Sequence, residues 1–282
     1  MPVTDRRGVT LLELIVAMAV AAILGSLLLS AMTTVTATLR NRVERVGALV
    51  AARAVWGVIR SDWAALGSDS VAGPDLGAQT AGALTYRADR GLVAVCHLAP
   101  DTLVIAATRL TRWAPRRPVA GRDSLLIYAA GDSAAGLDAW VPVPLLAGPS
   151  AGTCPSGAPA ERFTTSLDSG ALARWRLRGP ALARLVETVE ARIYGAGTLW
   201  QFGIEGLSAG ASIQPVASNL AGAAGLQITG WDCFGLAGPL TSLCGADVDL
   251  RVMTKRDLGL GAGRGGVGFD SLSLSVRFEN RP

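Results

Sequence analysis

Glu13 is the first residue of this 282-residue chain to suggest chemistry, because it stands at the start of a long apolar run. From Leu14 to Met32 the sequence is apolar except for three small residues, Gly25, Ser26 and Ser30. A carboxylate at the edge of such a run is costly in a membrane unless a cationic group pairs with it. Glu13 is therefore a candidate functional residue, and its chemistry would be the pairing of charges.

Other patterns that could support catalysis or ligand binding are weaker. Gly261 to Gly266 fits Gly-x-Gly-x-x-Gly, but a phosphate-binding turn needs a following helix, and an alternating strand pattern follows here. His97 is the only histidine and lies in an apolar run, so a serine triad has no clear base. Asp247, Asp249 and Asp257 do not form the compact acidic loop of a calcium site. The sequence predicts no enzyme, cofactor or metal site.

The four cysteines are an even number, which favours two disulfides outside the cytoplasm. The local pairing joins Cys233 to Cys244 and closes a loop with glycine and proline, which leaves Cys96 to pair with Cys154. Zinc is the alternative, but the chain has no Cys-x-x-Cys pair. We expect two disulfides, although four cysteines allow three pairings.

The charge balance does not indicate a nucleic-acid partner. The formal net charge is only +4, and Lys255 is the single lysine among 26 basic residues. The densest arginine group is interrupted by prolines and is typical of a solvated loop; it consists of Arg109, Arg112, Arg116 and Arg117. The sequence therefore shows no nucleic-acid-binding surface.

The apolar run predicts a helix that can cross a membrane, since a bilayer core needs about 20 residues at a rise of about 1.5 Å each. After Met32 the apolar residues recur at mostly helical spacing as far as Leu66, so the pattern becomes amphipathic. No proline lies between Val9 and Leu66, and Gly67 to Ser70 would stop the helix. We expect one helix of about 55 residues, transmembrane over about 14–32 and amphipathic over about 33–66.

From residue 71 onward, short apolar or alternating runs bounded by glycine, proline and aspartate predict strands. They are Leu103–Ala106, Ser124–Tyr128, Arg174–Arg178, Thr188–Tyr194, Thr198–Ile204, Val248–Val252 and Leu272–Phe278. Tyr194 to Thr198 has the composition of a hairpin turn. Pro142 to Pro159 is proline-rich and predicts an irregular surface loop. The expected fold class is α+β, with a long N-terminal helix packed on a β-rich antiparallel head.

Two other kinds of N-terminal segment fit this pattern less well. A secretory signal peptide would have an apolar region of only about 7–15 residues ending at a small-residue cleavage site. An uncleaved signal anchor would leave Glu13 without a purpose. Arg6 and Arg7 precede the apolar run, which favours a cytoplasmic leader and places the rest of the chain outside the cytoplasm.

Residues 6–32 resemble the N-terminus of type IV prepilins and pseudopilins. The usual form is Gly-Phe-Thr-Leu-(Leu/Ile)-Glu-Leu, and this chain has Gly8-Val-Thr-Leu-Leu-Glu-Leu14 after two arginines, so that only Val9 departs from it. The resemblance implies that a membrane-embedded prepilin peptidase cuts between Gly8 and Val9 and methylates the new N-terminus at Val9. It also implies a pilin-like fold and assembly with other pilins or pseudopilins.

After such a cut, Glu13 acquires a physical role. The new N-terminal amine would be buried among apolar helices, and the Glu13 carboxylate could neutralise the amine of an adjacent subunit. An unpaired charge of either sign costs several kcal/mol in that setting. The pair would therefore select the register in which subunits stack.

A second and looser resemblance concerns Ala51 to Gly67, which is similar to the helix end of PilW- or PulJ-type minor pilins. We expect a leader over 1–8, the long helix over 9–66 and an extracytoplasmic head over 67–282. The expected function is that of a minor pilin in a type IV pilus-like filament. A minor pseudopilin of type II secretion is the alternative within this class, and an uncleaved, membrane-anchored extracytoplasmic binding protein is the alternative outside it. The expected location is the inner membrane, crossed once, and then an extracellular or periplasmic filament.

Overall fold

The computed structural model describes residues 10–69, 72–107, 116–129, 139–177, 179–197, 199–207, 211–238, 243–257 and 267–278. The chain divides into two compact units. One comprises Met1–Ala48 and Thr254–Gly268, and the other comprises Leu49–Met253 and Phe269–Pro282. The long N-terminal helix contributes its first part to the first unit and its last part to the second.

That helix, α1, runs from Leu11 to Ala64 and contains 54 residues, which corresponds to about 80 Å at the usual rise. Its sequence is rich in alanine and leucine and contains no proline, so no missing N–H interrupts the ladder of hydrogen bonds. The helix ends close to the predicted stop at Gly67. The Leu66 N–H still donates to the Trp63 carbonyl at 3.1 Å, which closes the last turn.

The remaining elements are β1 Ser68–Asp69, β2 Gly73–Pro74, β3 Leu76–Gln79, β4 Ala83–Ala99, β5 Thr102–Ala106, β6 Asp123–Ala129, β7 Ala139–Thr153, β8 Pro159–Thr165, α2 Ser169–Arg174, β9 Ala181–Ala196, β10 Leu199–Gly206, β11 Gln214–Leu220, β12 Leu226–Asp232, β13 Leu243–Asp257 and β14 Val267–Arg277. The first two strands pair with each other. The others follow the order β12-β13-β11-β10-β9-β6-β7-β8-β5-β4-β3, with further pairings of β14 to β13 and of β4 to β9. A long apolar helix followed by an antiparallel sheet confirms the predicted α+β class.

The centre of the sheet is β9, which pairs with β4, β6 and β10 in antiparallel registers. Alternate side chains of a strand point to the same face. On β9 the inward face carries Ala183, Leu185, Val189 and Ala191, all at most 1% exposed, and in their midst lies Glu187. The strand therefore places one carboxylate among core residues.

The main apolar core lies against this part of the sheet. Its buried members include Val93 and Val95 of β4, Leu125 and Ile127 of β6, and Phe163 of β8. The predicted hairpin is confirmed, because Ala196 of β9 pairs with Leu199 of β10 directly across the turn.

The prediction of an irregular loop over Pro142 to Pro159 was wrong. Strand β7 covers residues 139–153, and its first half buries Val141, Val143 and Leu145 while the intervening prolines point outward. Pro142 pairs with Leu126 of β6, and pairing with β8 begins only at Leu145. Proline is tolerated here because its missing N–H belongs to the edge of the strand that faces away from β6.

The prediction of a strand over Arg174–Arg178 was also wrong. The short helix α2 ends at Arg174, and its N-cap is Asp168, whose side chain accepts a hydrogen bond from the Ala171 N–H at 2.5 Å. Trp175 and Leu177 then pack against the core from a turn. Alternation of arginine and apolar residues resembled a strand, but the preceding aspartate cap started a helix.

Candidate functional site

The N-terminus of α1 is closed by hydrogen bonds between Thr10 and Glu13. The Thr10 N–H and hydroxyl donate to Glu13 Oε2 at 3.0 and 3.1 Å, and the Glu13 N–H donates to Thr10 Oγ1 at 3.2 Å. This is a capping box, in which the backbone N–H of each residue has no partner within the helix and donates instead to the side chain of the other residue. It fixes the Glu13 side chain at the first turn, where the residue is exposed.

The sequence analysis did not identify Thr10 as a capping residue, although Thr-x-x-Glu before an apolar run is a known signal for such a cap. The predicted cleavage site at Gly8 and Val9 lies outside the described residues. Cleavage and methylation there therefore stay predictions, as does the pairing of Glu13 with an amine.

The first half of α1 presents apolar side chains on all sides. Leu12 and Ile15 are 71 and 54% exposed on one face, and Leu28 and Met32 are both 67% exposed on another face of the helix. Its most apolar 18-residue window has a mean hydropathy of 2.5 and no buried residues, and α1 is the one helix of the described residues that could span a membrane by length and composition. A surface of this kind requires lipid or other apolar helices around it.

The polar residues of this half are compatible with such surroundings, because their hydroxyls donate to carbonyls of the same helix. Ser26 donates to the Ile23 carbonyl at 2.8 Å and Thr34 to the Ser30 carbonyl at 2.9 Å. The same pattern recurs at Thr33, Thr36 and Thr38. Hydrogen bonds within the segment remove the need for water in an apolar environment.

The last part of α1 is built differently. Ala52, Val55, Ile59 and Trp63 recur at helical spacing and are at most 2% exposed, so this part buries one stripe. The Trp63 ring meets Tyr86 of β4 edge to face, with ring centroids 6.1 Å apart and an interplanar angle of 76°. This aromatic pair anchors the helix end to the sheet.

A polar link lies beside the aromatic pair. The Tyr86 hydroxyl donates to Asp62 Oδ2 at 3.0 Å, and Arg90 lies 3.6 Å from the same carboxylate and 3.0 Å from Glu187. Burial, together with the adjacent Asp62 carboxylate, raises the pKa of Tyr86 well above its ordinary value of 10.0. The hydroxyl is therefore a stable donor, and Arg90 connects the helix end to the centre of the sheet.

Glu187 is the centre of this network. Arg90, Arg116 and Arg122 all bind its carboxylate, and Arg116 also holds Asp123 through a bidentate contact at 2.5 and 2.6 Å. Burial acts to raise the pKa of Glu187, but the hydrogen bonds from the three arginines outweigh it and lower the pKa below its ordinary value. Three cations balance a charge that would otherwise be untenable in the core.

This geometry corrects one prediction. Arg116 was expected in a solvated loop, but its side chain is only 26% exposed and belongs to the buried network. Its neighbour Arg117 fits the expectation, because it is 84% exposed and pairs with Glu161 at the surface. Arg109 and Arg112 lie outside the described residues.

A second carboxylate, that of Asp75, holds the chain in place just after α1. Asp75 accepts from the Gly67 N–H at 2.8 Å and lies 2.9 Å from Arg87, whose other nitrogens donate to the carbonyls of Ala72 and Gly73. Burial raises the pKa of Asp75 above its ordinary value, although Arg87 acts in the opposite direction. The clamp holds the segment after α1 against β4.

The structure pairs Cys96 with Cys154 and Cys233 with Cys244, with Cα–Cα distances of 5.6 and 5.0 Å. His97 is exposed on β4.

Two acids on β13 engage serines of β14. Asp247 accepts from Ser275 and Asp249 from Ser273. No group of metal-binding side chains occurs among the residues that the structure describes. The glycine-rich segment Gly261 to Gly266 lies outside them.

A family model for the prokaryotic N-terminal methylation motif matches residues 4–29. Comparisons with curated proteins and with solved structures give no match. The matched segment contains Glu13 and the first turns of the exposed apolar helix. The chain therefore carries a prepilin-type N-terminal motif, and in this segment it is similar to type IV pilins. The motif is typical of structural subunits that are anchored in a membrane, processed by a prepilin peptidase and assembled with other pilins.

Proposed function

We propose that the chain is a minor pilin of a type IV pilus-like filament. Residues 1–8 form the leader, residues 9–66 the assembly helix and residues 67–282 an extracytoplasmic head. Prepilin peptidase cuts between Gly8 and Val9 and methylates Val9. The observation that carries the proposal is the methylation motif at the start of a helix whose apolar side chains are exposed on every face.

The proposed mechanism follows from that helix. Before assembly the lipid of the inner membrane surrounds its apolar first half, and in the filament the helices of other subunits replace the lipid. Glu13 stands exposed at the first turn, so the methylated amine of a neighbouring subunit can reach its carboxylate. Neutralising that amine offsets a desolvation cost of several kcal/mol and sets the register between subunits.

The test is the mass of the mature N-terminus. The wild-type chain should begin at a methylated Val9, whereas Gly8→Val should retain the leader because a side chain at the cut blocks access to the backbone. Gly25→Val is a matched control: a Cβ at Gly25 meets nothing within 4 Å, so the same substitution should leave cleavage intact. A wild-type chain that still begins at Met1 would refute the proposal and favour an uncleaved anchor.

A further inference from the structure

A groove of about 660 Å³ lies between β14 and the last turns of α1. One wall consists of residues 274–278, and the other of Trp56, Arg60 and Ala64. All of them belong to the second compact unit. The three helix residues are spaced four apart, so they form one stripe along α1.

The five strand residues show which part of β14 faces the groove. Successive side chains of a strand point to opposite faces of its sheet, and burial alternates without interruption from Ser271 to Phe278. A groove lined by five successive residues therefore runs along the edge of the strand, where the backbone N–H and C=O groups lie.

That edge is free in the described part of the chain, where β13 is the one strand that pairs with β14. The Phe278 N–H donates to the Cys244 carbonyl of β13 at 2.9 Å. Backbone groups alternate in direction along a strand, so those of Ser275 and Arg277 point away from β13 and into the groove. An exposed edge of this kind is a template for another strand.

The helical wall is held in place by packing next to the groove. Val55, Trp56 and Ile59 of α1 surround a small cavity together with Val248 of β13 and Leu274 of β14. This end of α1 therefore lies over the buried face of the two strands, and the groove is a feature of the folded head.

The groove is also basic. Arg60 and Arg277 are both exposed and line it, and neither forms an ion pair or hydrogen bond with another described residue. Two acids of β13, Asp247 and Asp249, accept hydrogen bonds from Ser275 and Ser273. Two available guanidinium groups beside a free strand edge complement a segment that carries carboxylates.

We propose that this groove binds an extended, acidic segment of another extracytoplasmic protein, which adds to the free edge of β14 as a further strand. Backbone hydrogen bonds to Ser275 and Arg277 would give affinity, and carboxylates of the segment would bind Arg60 and Arg277. A lipid phosphate could use the arginines, but it could not use the alternating donors and acceptors of the edge. The proposal concerns the head alone and does not depend on cleavage at Gly8.

The experiment presents the full chain, held in lipid nanodiscs, to a random library of eight-residue peptides. Enriched peptides should carry Asp or Glu at alternate positions with β-branched residues between them. The affinity of one enriched, fluorescein-labelled peptide is then measured by fluorescence anisotropy.

Ser275→Pro should weaken binding of that peptide roughly tenfold or more, because it removes an N–H from the free edge while the backbone bonds to β13 remain. Ser271→Pro is the matched control: it has the same orientation on β14 but lies outside the groove, so binding should persist. Arg60→Glu combined with Arg277→Glu should abolish binding, whereas Arg117→Glu, at an exposed arginine that does not line the groove, should not. Thermal unfolding of each variant checks that the head remains folded.

Three results would overturn the proposal. The first is that no peptide is enriched on the wild-type chain relative to Ser275→Pro. The second is that the enriched peptides are apolar and insensitive to Ser275→Pro, which would mean that a helix packs on α1. The third is that binding appears only after removal of residues 279–282, which would mean that the tail of the chain itself occupies the groove.

Discussion

The first and last parts of α1 belong to one helix, but their apolar side chains differ in how far the rest of the chain covers them. Leu28 and Met32 are each 67% exposed, whereas Ile59 and Trp63 are 1 and 0% exposed. The first part is apolar on every face, and no single surface of a small head could cover it. The last part is apolar on one stripe, and the chain's own sheet covers that stripe.

The polar residues follow the same division. In the first part, hydroxyls such as that of Ser26 donate to carbonyls of their own helix. In the last part, Asp62 reaches Tyr86 and Arg90 on β4. The comparison indicates that the first part is suited to contact with other molecules, whereas the last part packs against the sheet of its own chain. Substitutions in the two parts should therefore affect different measurements.

The largest effect is expected from Glu13→Ala in the first part. The amount of the chain that co-purifies with sheared filaments or partner subunits, relative to its membrane pool, should fall roughly tenfold or more, because the neighbouring amine loses its countercharge. Glu13→Gln should fall less, since the amide still accepts a hydrogen bond. Folding of the head should not change.

Thr10→Ala separates this role from helix capping. It breaks the capping box, at a cost of about 1 kcal/mol to the first turn, but it leaves the carboxylate of Glu13 in place. Assembly should therefore persist. Equal losses for Thr10→Ala and Glu13→Ala would show that the cap, and not the charge, matters.

The second effect is expected from Trp63→Ala in the last part. Removing a fully buried indole should lower the free energy of unfolding of the head by about 3–5 kcal/mol, as measured by urea denaturation. Membrane insertion, measured by carbonate extraction, should remain. Val46→Ala is the contrast, because Val46 is 59% exposed and should change the unfolding free energy by less than about 0.5 kcal/mol. Similar losses for both would contradict the division of α1.

The smallest of the three effects concerns the network that links Asp62 to Glu187. Glu187→Gln should cost about 2–4 kcal/mol at pH 7, toward the lower end for a buried ion pair, because its arginines remain 21–37% exposed. The folded-state pKa of Glu187 is lowered. Its contribution is therefore present at neutral pH and is lost as pH falls through that folded pKa, below the ordinary value of 4.5.

The measurement is the difference in unfolding free energy between wild type and Glu187→Gln, followed from pH 7 downward. That difference should shrink below pH 4.5. The raised pKa of Asp75 makes its contribution to stability change with pH in the opposite direction, but it does so in both proteins and therefore drops out of the difference. A difference that does not depend on pH would show that the carboxylate of Glu187 does not stabilise the head.

The N-terminal segment could be predicted because its signals are local. The apolar run and Glu13 lie within the first 32 residues, and the helix length follows from the helical spacing of apolar residues and the absence of proline as far as Leu66. The Thr10 cap was also available in the sequence as Thr-x-x-Glu. The second half of β9, β10 and the turn between them were predicted for the same reason, since alternation and glycine spacing are local patterns.

The sequence by itself thus determined the long helix, its apolar half and the antiparallel character of the head. Only the tertiary structure decided which strands became neighbours, and with them the fate of particular residues. Pro142 lies in a strand because one edge of β7 is unpaired there, and Arg116 is largely buried because Glu187, 71 residues away, requires its charge. Such outcomes depend on pairing between residues that are far apart in the sequence, and the local pattern around either residue does not identify its partner.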